Sequence, residues 1–166
     1  MIRFGMTLKS LRPAHGSFAF SFEDDYTLIS ISGIWNAECT DIYDTLLRQR
    51  VTSKPDLRRC VIIDGRNWGL ETPESGIKKR ELNRHLSQYY KALYIAYVLN
   101  PENLNLAKFI LDTNNGDYRN VMTWQFYPDF KQAIPWLRAE GFTLPDLVPD
   151  DFPTPIAADD YIKYLK

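Results

Sequence analysis

Residues that carry covalent or metal chemistry are scarce in this chain, whose 166 residues include two cysteines and two histidines. His15, His85, Cys39 and Cys60 are poor material for a transition-metal centre, which commonly takes four nitrogen or sulfur ligands at close spacing. There is no G-x-S-x-G elbow, no phosphate-cradling glycine loop, no dinucleotide fingerprint and no H-E-x-x-H pair. No apolar run approaches the roughly 20 residues of a membrane-spanning helix. Met1 to Phe18 lacks the unbroken apolar core of a secretory signal. A formal net charge of -1 argues against a dedicated nucleic-acid binder. The expectation is a soluble, cytoplasmic chain with no metal, no cofactor, no nucleic-acid partner and no membrane span. Cys39 falls in a predicted helix and Cys60 in a predicted buried strand, so two reduced core thiols are expected rather than a disulfide.

What the chain has is ordinary for a globular domain: 45% hydrophobic and 25% charged residues, with a mild aromatic excess at 14%. A domain of this size buries roughly 70% of its unfolded surface, so size alone calls for no disulfide or metal. Residues 1–16 show no sustained period and read as a leader. Phe18, Phe20 and Phe22 alternate with smaller residues, Asp24-Asp25 interrupts, and Leu28 to Ile31 resumes the pattern, which predicts an antiparallel hairpin closed or bulged by Gly33. Asn36 can cap a helix to about Arg50. The turn Ser53-Lys54-Pro55-Asp56 then separates it from the next strand.

The stretch from Cys60 to Lys91 organises the rest. Cys60 to Ile63 is a short apolar run of the kind expected in a strand buried on both faces. A loop from Arg66 to Glu71 is expected next, with Thr72 capping a helix whose first residue is Pro73. Leu82, Leu86, Tyr89 and Leu93 form its apolar stripe, and Arg80, Arg84, Ser87 and Lys91 fall opposite. Leu93 to Leu99 predicts another strand. A helix from about Glu102 to Asp112 should turn Leu106, Phe109 and Ile110 inward, with Asn114-Asn115-Gly116-Asp117 as its stop. Val121 to Phe126 is the last predicted strand. A helix from Pro128 carries Phe130, Ala133, Ile134 and Leu137 inward, with a kink or break expected at Pro135. Residues 143–166 form a Pro/Asp-rich connector and a short terminal helix.

This order predicts an α/β fold: a mostly parallel central sheet of about five strands with an antiparallel edge hairpin, flanked by about four helices. The arrangement resembles the SpoIIAA-like group of the STAS fold, related in shape to CRAL-TRIO lipid-transfer domains. The resemblance covers residues 17–142. It rests on the hairpin ending at Ser32-Gly33, on Val61-Ile62-Ile63-Asp64 leading into a helix, and on Phe126 followed by Ala133-Ile134-Pro135-Trp136-Leu137, similar to that family's terminal Ala-x-x-Trp-Leu. It implies a bacterial protein of unassigned activity that engages protein partners or small amphiphiles. Antagonists of anti-sigma factors with this fold hold a phosphorylated serine in an Asp-Ser-Ser-Gly motif. Here the place reads Asp64-Gly65-Arg66-Asn67-Trp68, without that serine, so the phospho-switch does not carry over.

Two features point to function. Asp64, Arg66, Trp68, Thr72 and Ser75 lie where a strand end meets a helix start, the usual ligand position in open α/β sheets, and are the candidate ligand-binding residues. Capping alone also accounts for Thr72 and Ser75. Residues 78–91 carry a net charge of +4 and residues 142–166 a net of -3, which allows the tail to fold back on the basic helix, in cis or on a partner subunit. Arg80, Arg84 and Lys91 are the candidate partner-binding residues. The leading expectation is a non-enzymatic STAS-like binding or regulatory module with a protein partner. A carrier of a small amphiphilic ligand, needing a cavity of several hundred Å³, is the alternative, and a small enzyme using Asp64 and Arg66 is the third. Monomer and homodimer both remain open.

Overall fold

A computed structural model describes residues 13–53 and 58–164. Most of the leader, most of the predicted turn at 53–56 and the last two residues lie outside them. The strands are β1 (Ser17–Phe22), β2 (Tyr26–Trp35), β3 (Arg58–Glu71), β4 (Ala92–Leu99), β5 (Met122–Tyr127) and β6 (Ile156–Ala157). The helices are α1 (Ala37–Ser53), α2 (Pro73–Tyr89), α3 (Leu104–Asn115) and α4 (Phe130–Ala139). The sheet order is β5-β4-β3-β2-β1-β6. β2 to β5 pair in parallel, while β1 runs antiparallel to both β2 and β6. Each parallel strand is added on the same side of its predecessor, so right-handed crossovers place α1, α2 and α3 on one face. α4 covers the other.

Strand alternation divides the core accordingly. Ile29, Ile31, Ile63, Ile95 and Tyr97 join the inward residues of α1, α2 and α3. Leu28, Cys60, Ile62, Ala96 and Val98 join Phe130, Ala133, Ile134 and Leu137 of α4. Both cysteines are free and buried, one in each core. Burial pushes each thiol up to about 12.

Three expectations are corrected. On α3 the inward residues are Ala107, Leu111, Asn114 and Asn115, a stripe with helical spacing, whereas Leu106 and Phe109 lie 54% and 69% exposed. The two asparagines take inward places because hydrogen bonds satisfy them, and Gly116 has ordinary right-handed geometry rather than a left-handed stop. α4 runs through Pro135 as one helix, not two. Pro135 and Lys131, whose carbonyl loses its helical donor, are both exposed, so water can take up that acceptor.

The third correction concerns the tail, which packs away from α2. Leu144 and Phe152 bury in the α4 core, and the Phe152 ring lies 4.5 Å from Phe130. β6 pairs with β1, and a 3₁₀ segment, Ala158–Tyr164, rests beside α1. Tyr161 stacks on Phe18 at 4.6 Å and donates its hydroxyl to the Phe18 carbonyl at 2.7 Å. Apolar burial decides the path of the tail, because exposed charges attract only weakly across water.

Asn36 anchors the start of the described chain. Its Oδ1 accepts from Cys39 N as the α1 cap and from His15 N, and its Nδ2 donates to the Pro13 carbonyl. Gly16, at φ +119°, threads between these bonds, where a Cβ would lie 2.5 Å from Trp35 Cδ1 and 2.9 Å from Cys39 Sγ. Gly16→Ala is therefore expected to lower stability by about 2 kcal/mol or more. At Gly116 a Cβ meets nothing within 4 Å, so Gly116→Ala should be neutral or stabilising by up to ~1 kcal/mol. Urea unfolding of the two variants checks the contrast, and equal effects would refute it.

Candidate functional site

The segment Arg66 to Glu71, expected as a loop, is the second half of β3. It stays extended because the ten-residue β2 continues beside it to Trp35. The pairing absorbs two irregularities, between Ser30 and Ser32 and between Gly33 and Trp35. Gly33 and Leu70 have left-handed backbone geometry there, at φ +74° and +75°. In the first bulge an extra β3 residue fits between the pairs Ser30/Asp64 and Ser32/Asn67. Asn67 therefore shares the α4 side with Asp64, and Trp68 turns to the opposite core. The five candidate ligand residues are divided among three places.

On the α4 side, Arg66 grips Asp64 in a bidentate pair, Nε to Oδ1 at 2.9 Å and Nη2 to Oδ2 at 3.0 Å. Its guanidinium also lies 4.9 Å from the Phe130 ring centre. The hydrogen bond to Asp64 raises the Arg66 pKa further. A cleft of about 360 Å³ opens beside the pair, lined on the sheet by Ser30, Ile31, Asp64 and Asn67 and across from it by Pro149, Asp150 and residues 152–155.

On the other face a buried polar network ties the sheet to its helices. Trp68 is 2% exposed, and Lys79 Nζ sits 4.8 Å from both its ring and that of Trp35. The ammonium pairs with Glu71 Oε2 at 3.0 Å. Glu71 also accepts from Ser75 Oγ at 2.9 Å and from Asn114 Nδ2 at 2.6 Å. Ser75 is fully buried and its hydroxyl shares a 2.5 Å bond with Thr40. Asn83 Nδ2 donates to the Asn114 carbonyl and to Asn115 Oδ1, and Asn115 Nδ2 donates to the Tyr97 hydroxyl. Sequence reasoning missed this network. The signal was there: Ser75, Lys79 and Asn83 recur every four residues on the buried side of the basic run.

Thr72 stands apart as the α2 cap, its Oγ1 accepting from Ser75 N at 3.3 Å. It borders an open hollow at the strand ends with His15, Gly16, Ile34 and Asn36. The interior under α1, α2 and α3 holds a cavity of about 80 Å³, lined mainly by apolar side chains together with Lys79, Thr27, the asparagines and Tyr43, Tyr90 and Tyr97. That is well short of the several hundred Å³ typical of a small-molecule site.

The three candidate partner residues are also unlike one another. Arg80 is half-buried; its Nη1 donates to Asn114 Oδ1 at 3.4 Å and its carbonyl accepts from the Tyr118 hydroxyl. Arg84 is exposed on α2, and Lys91 is exposed between α2 and β4. No three metal-ligating side chains cluster among the described residues. None of the helices described is long and apolar enough to cross a membrane.

Burial alone raises the Glu71 pKa, but the Lys79 charge and the hydrogen bonds from Lys79, Asn114 and Ser75 outweigh it and hold the carboxyl below its usual range. A depressed carboxyl contributes stability above its unfolded-state pKa and loses that contribution as pH falls through the folded value. Glu71→Gln, which leaves the Lys79 ammonium unpaired, should cost about 3–5 kcal/mol at pH 7. The gap to wild type should narrow as pH falls below about 4. Urea midpoints at pH 7 and pH 3 measure both, and a gap that does not change with pH would remove the ionised pair.

No family model matches the sequence, and no curated protein matches it. Among solved structures, the chain is similar to an uncharacterized protein from the DUF3478 family with a SpoIIAA-like fold, from Shewanella loihica PV-4. The two share 15% identity at a TM-score of 0.56, over 77% of this chain and 99% of that one. The hairpin, the parallel strands and the helices on both faces are those of a SpoIIAA-like fold.

Proposed function

We propose that this chain is a non-enzymatic binding or regulatory module that engages a protein partner through the outward faces of α2 and α3. The observation that carries the reading is the exposure of Leu106 and Phe109, one turn apart on α3. An exposed aromatic beside an exposed aliphatic is the chemistry of an interface anchor. Arg84 is exposed on the neighbouring α2, so the matching partner surface is apolar at its centre with acidic groups at its rim.

The chemistry elsewhere supports binding over catalysis. Asp64 and Arg66 neutralise each other, Glu71 is held by Lys79, Ser75 and Asn114, and both thiols are buried. Ser75 offers a kinase no surface. The interior cavity lacks the volume to enclose a lipid-like cargo.

Arg84→Glu and Phe109→Ser test the reading, since neither residue is buried and both variants should keep wild-type folding. Each should reduce recovery of a partner cross-linked by the wild-type chain about tenfold or more. Sedimentation of the purified protein shows whether that partner is a second copy. Unchanged recovery in both variants would overturn the reading.

A further inference from the structure

We propose that the cleft between β2, β3 and residues 149–155 binds a small aliphatic amine in its ammonium form. This site lies across the sheet from α2 and α3 and is independent of the protein-partner reading.

Ser30 is the first observation. It is 3% exposed, borders the cleft, and its hydroxyl has no hydrogen-bond partner among the described residues. Native proteins rarely leave a buried hydroxyl unmet. Its register partner on β3 is Asp64, so hydroxyl and carboxylate lie side by side on one face. Asp64 Oδ1 accepts from the Arg66 backbone and Nε, whereas Oδ2 takes a single bond, from Nη2. A carboxylate oxygen can accept two, which leaves capacity toward the cleft.

The opposite wall has few donors: Pro149, Pro153 and Pro155 have no N–H, Thr154 brings one hydroxyl, and Asp150 adds an exposed carboxylate. No cation is among the described lining residues, and Arg66, which holds Asp64, is committed to that pair and to the face of Phe130. The Asn67 carboxamide can donate or accept, and Asp64 and Asp150 together outweigh the single guanidinium of Arg66 by one negative charge, so the cleft favours a cation over an anion. An ammonium is the complement: three donors and no acceptor. The Phe152 ring and the proline rings offer apolar surface to the attached methylenes. About 360 Å³ lies at the small end of ligand sites, which limits the ligand to a short chain.

The probe is 1,4-diaminobutane, titrated into the full chain and followed by amide chemical shifts, with 1,4-butanediol as the neutral isostere and magnesium chloride as a simple cation. Saturable shifts around Ser30, Asp64 and Asn67 are expected with the diamine, with little response to the diol or the salt. Asp150→Asn, on the exposed rim, should weaken the diamine about threefold or more. Ser30→Ala should weaken it about tenfold while leaving the melting temperature equal or higher, because it removes an unmet hydroxyl. Failure to saturate, an equal response to the diol or to magnesium, or affinity unchanged in both variants would overturn the proposal.

Discussion

The architecture depends on one buried ion pair. Glu71 ends β3 and Lys79 lies two turns into α2, and the ammonium is held between the rings of Trp35 and Trp68. A pair removed from water in this way contributes little net stability relative to apolar packing, but leaving either charge alone is costly. Its effect is geometric. Glu71 is satisfied only when Ser75 is in the first turn of α2 and Asn114 is at the end of α3. Thr40 then brings α1 into the same arrangement through Ser75. The helix layer and the sheet therefore share one set of hydrogen bonds, which explains why polar side chains occupy places where an apolar stripe would be expected.

The bulge before Asn67 has an equal part in deciding where the candidate residues fall. In a regular strand Trp68 would have faced α4 and Asn67 the helix layer. The extra residue exchanges them, so the indole enters the large core and the carboxamide lines the cleft. Asp64 and Arg66 stay on the α4 side and grip each other, and Ser75 is buried on the opposite side. The inserted position thus separates Trp68 from Asp64 and Arg66, while α2 and its cap place Ser75 and Thr72.

This accounts for what was legible in the sequence and what was not. The hairpin, the parallel strands, the Asn36 and Thr72 caps and the α4 stripe each follow from local period or capping chemistry. The length of β3 did not, because Arg66 to Glu71 has no strand-like alternation and is held extended by Ser32 to Trp35 of β2. The inward face of α3 was hidden for a related reason. Asn114 and Asn115 look like helix breakers until Glu71, Asn83 and Tyr97 are placed around them. Register and buried polar partners are relations between distant segments, and local propensity carries no record of them.

The cleft on the α4 side has the same dependence on long-range contact, with Phe130 as its pivot. That ring lies under the Arg66 guanidinium at 4.9 Å and beside the Phe152 ring at 4.5 Å. It therefore positions the cation that restrains Asp64 and also the arm that faces Asp64 across the cleft. Arg138, two turns along the same helix, holds the preceding segment by donating to the Leu144 carbonyl and to Asp146. Both walls are thus referenced to α4, and the opening between them is set before any ligand arrives. A site built in this way spends little binding energy on ordering its own loop. The tail earns its place in the fold by closing the sheet edge through β6 and by supplying the acceptor-rich wall that the sheet alone does not provide.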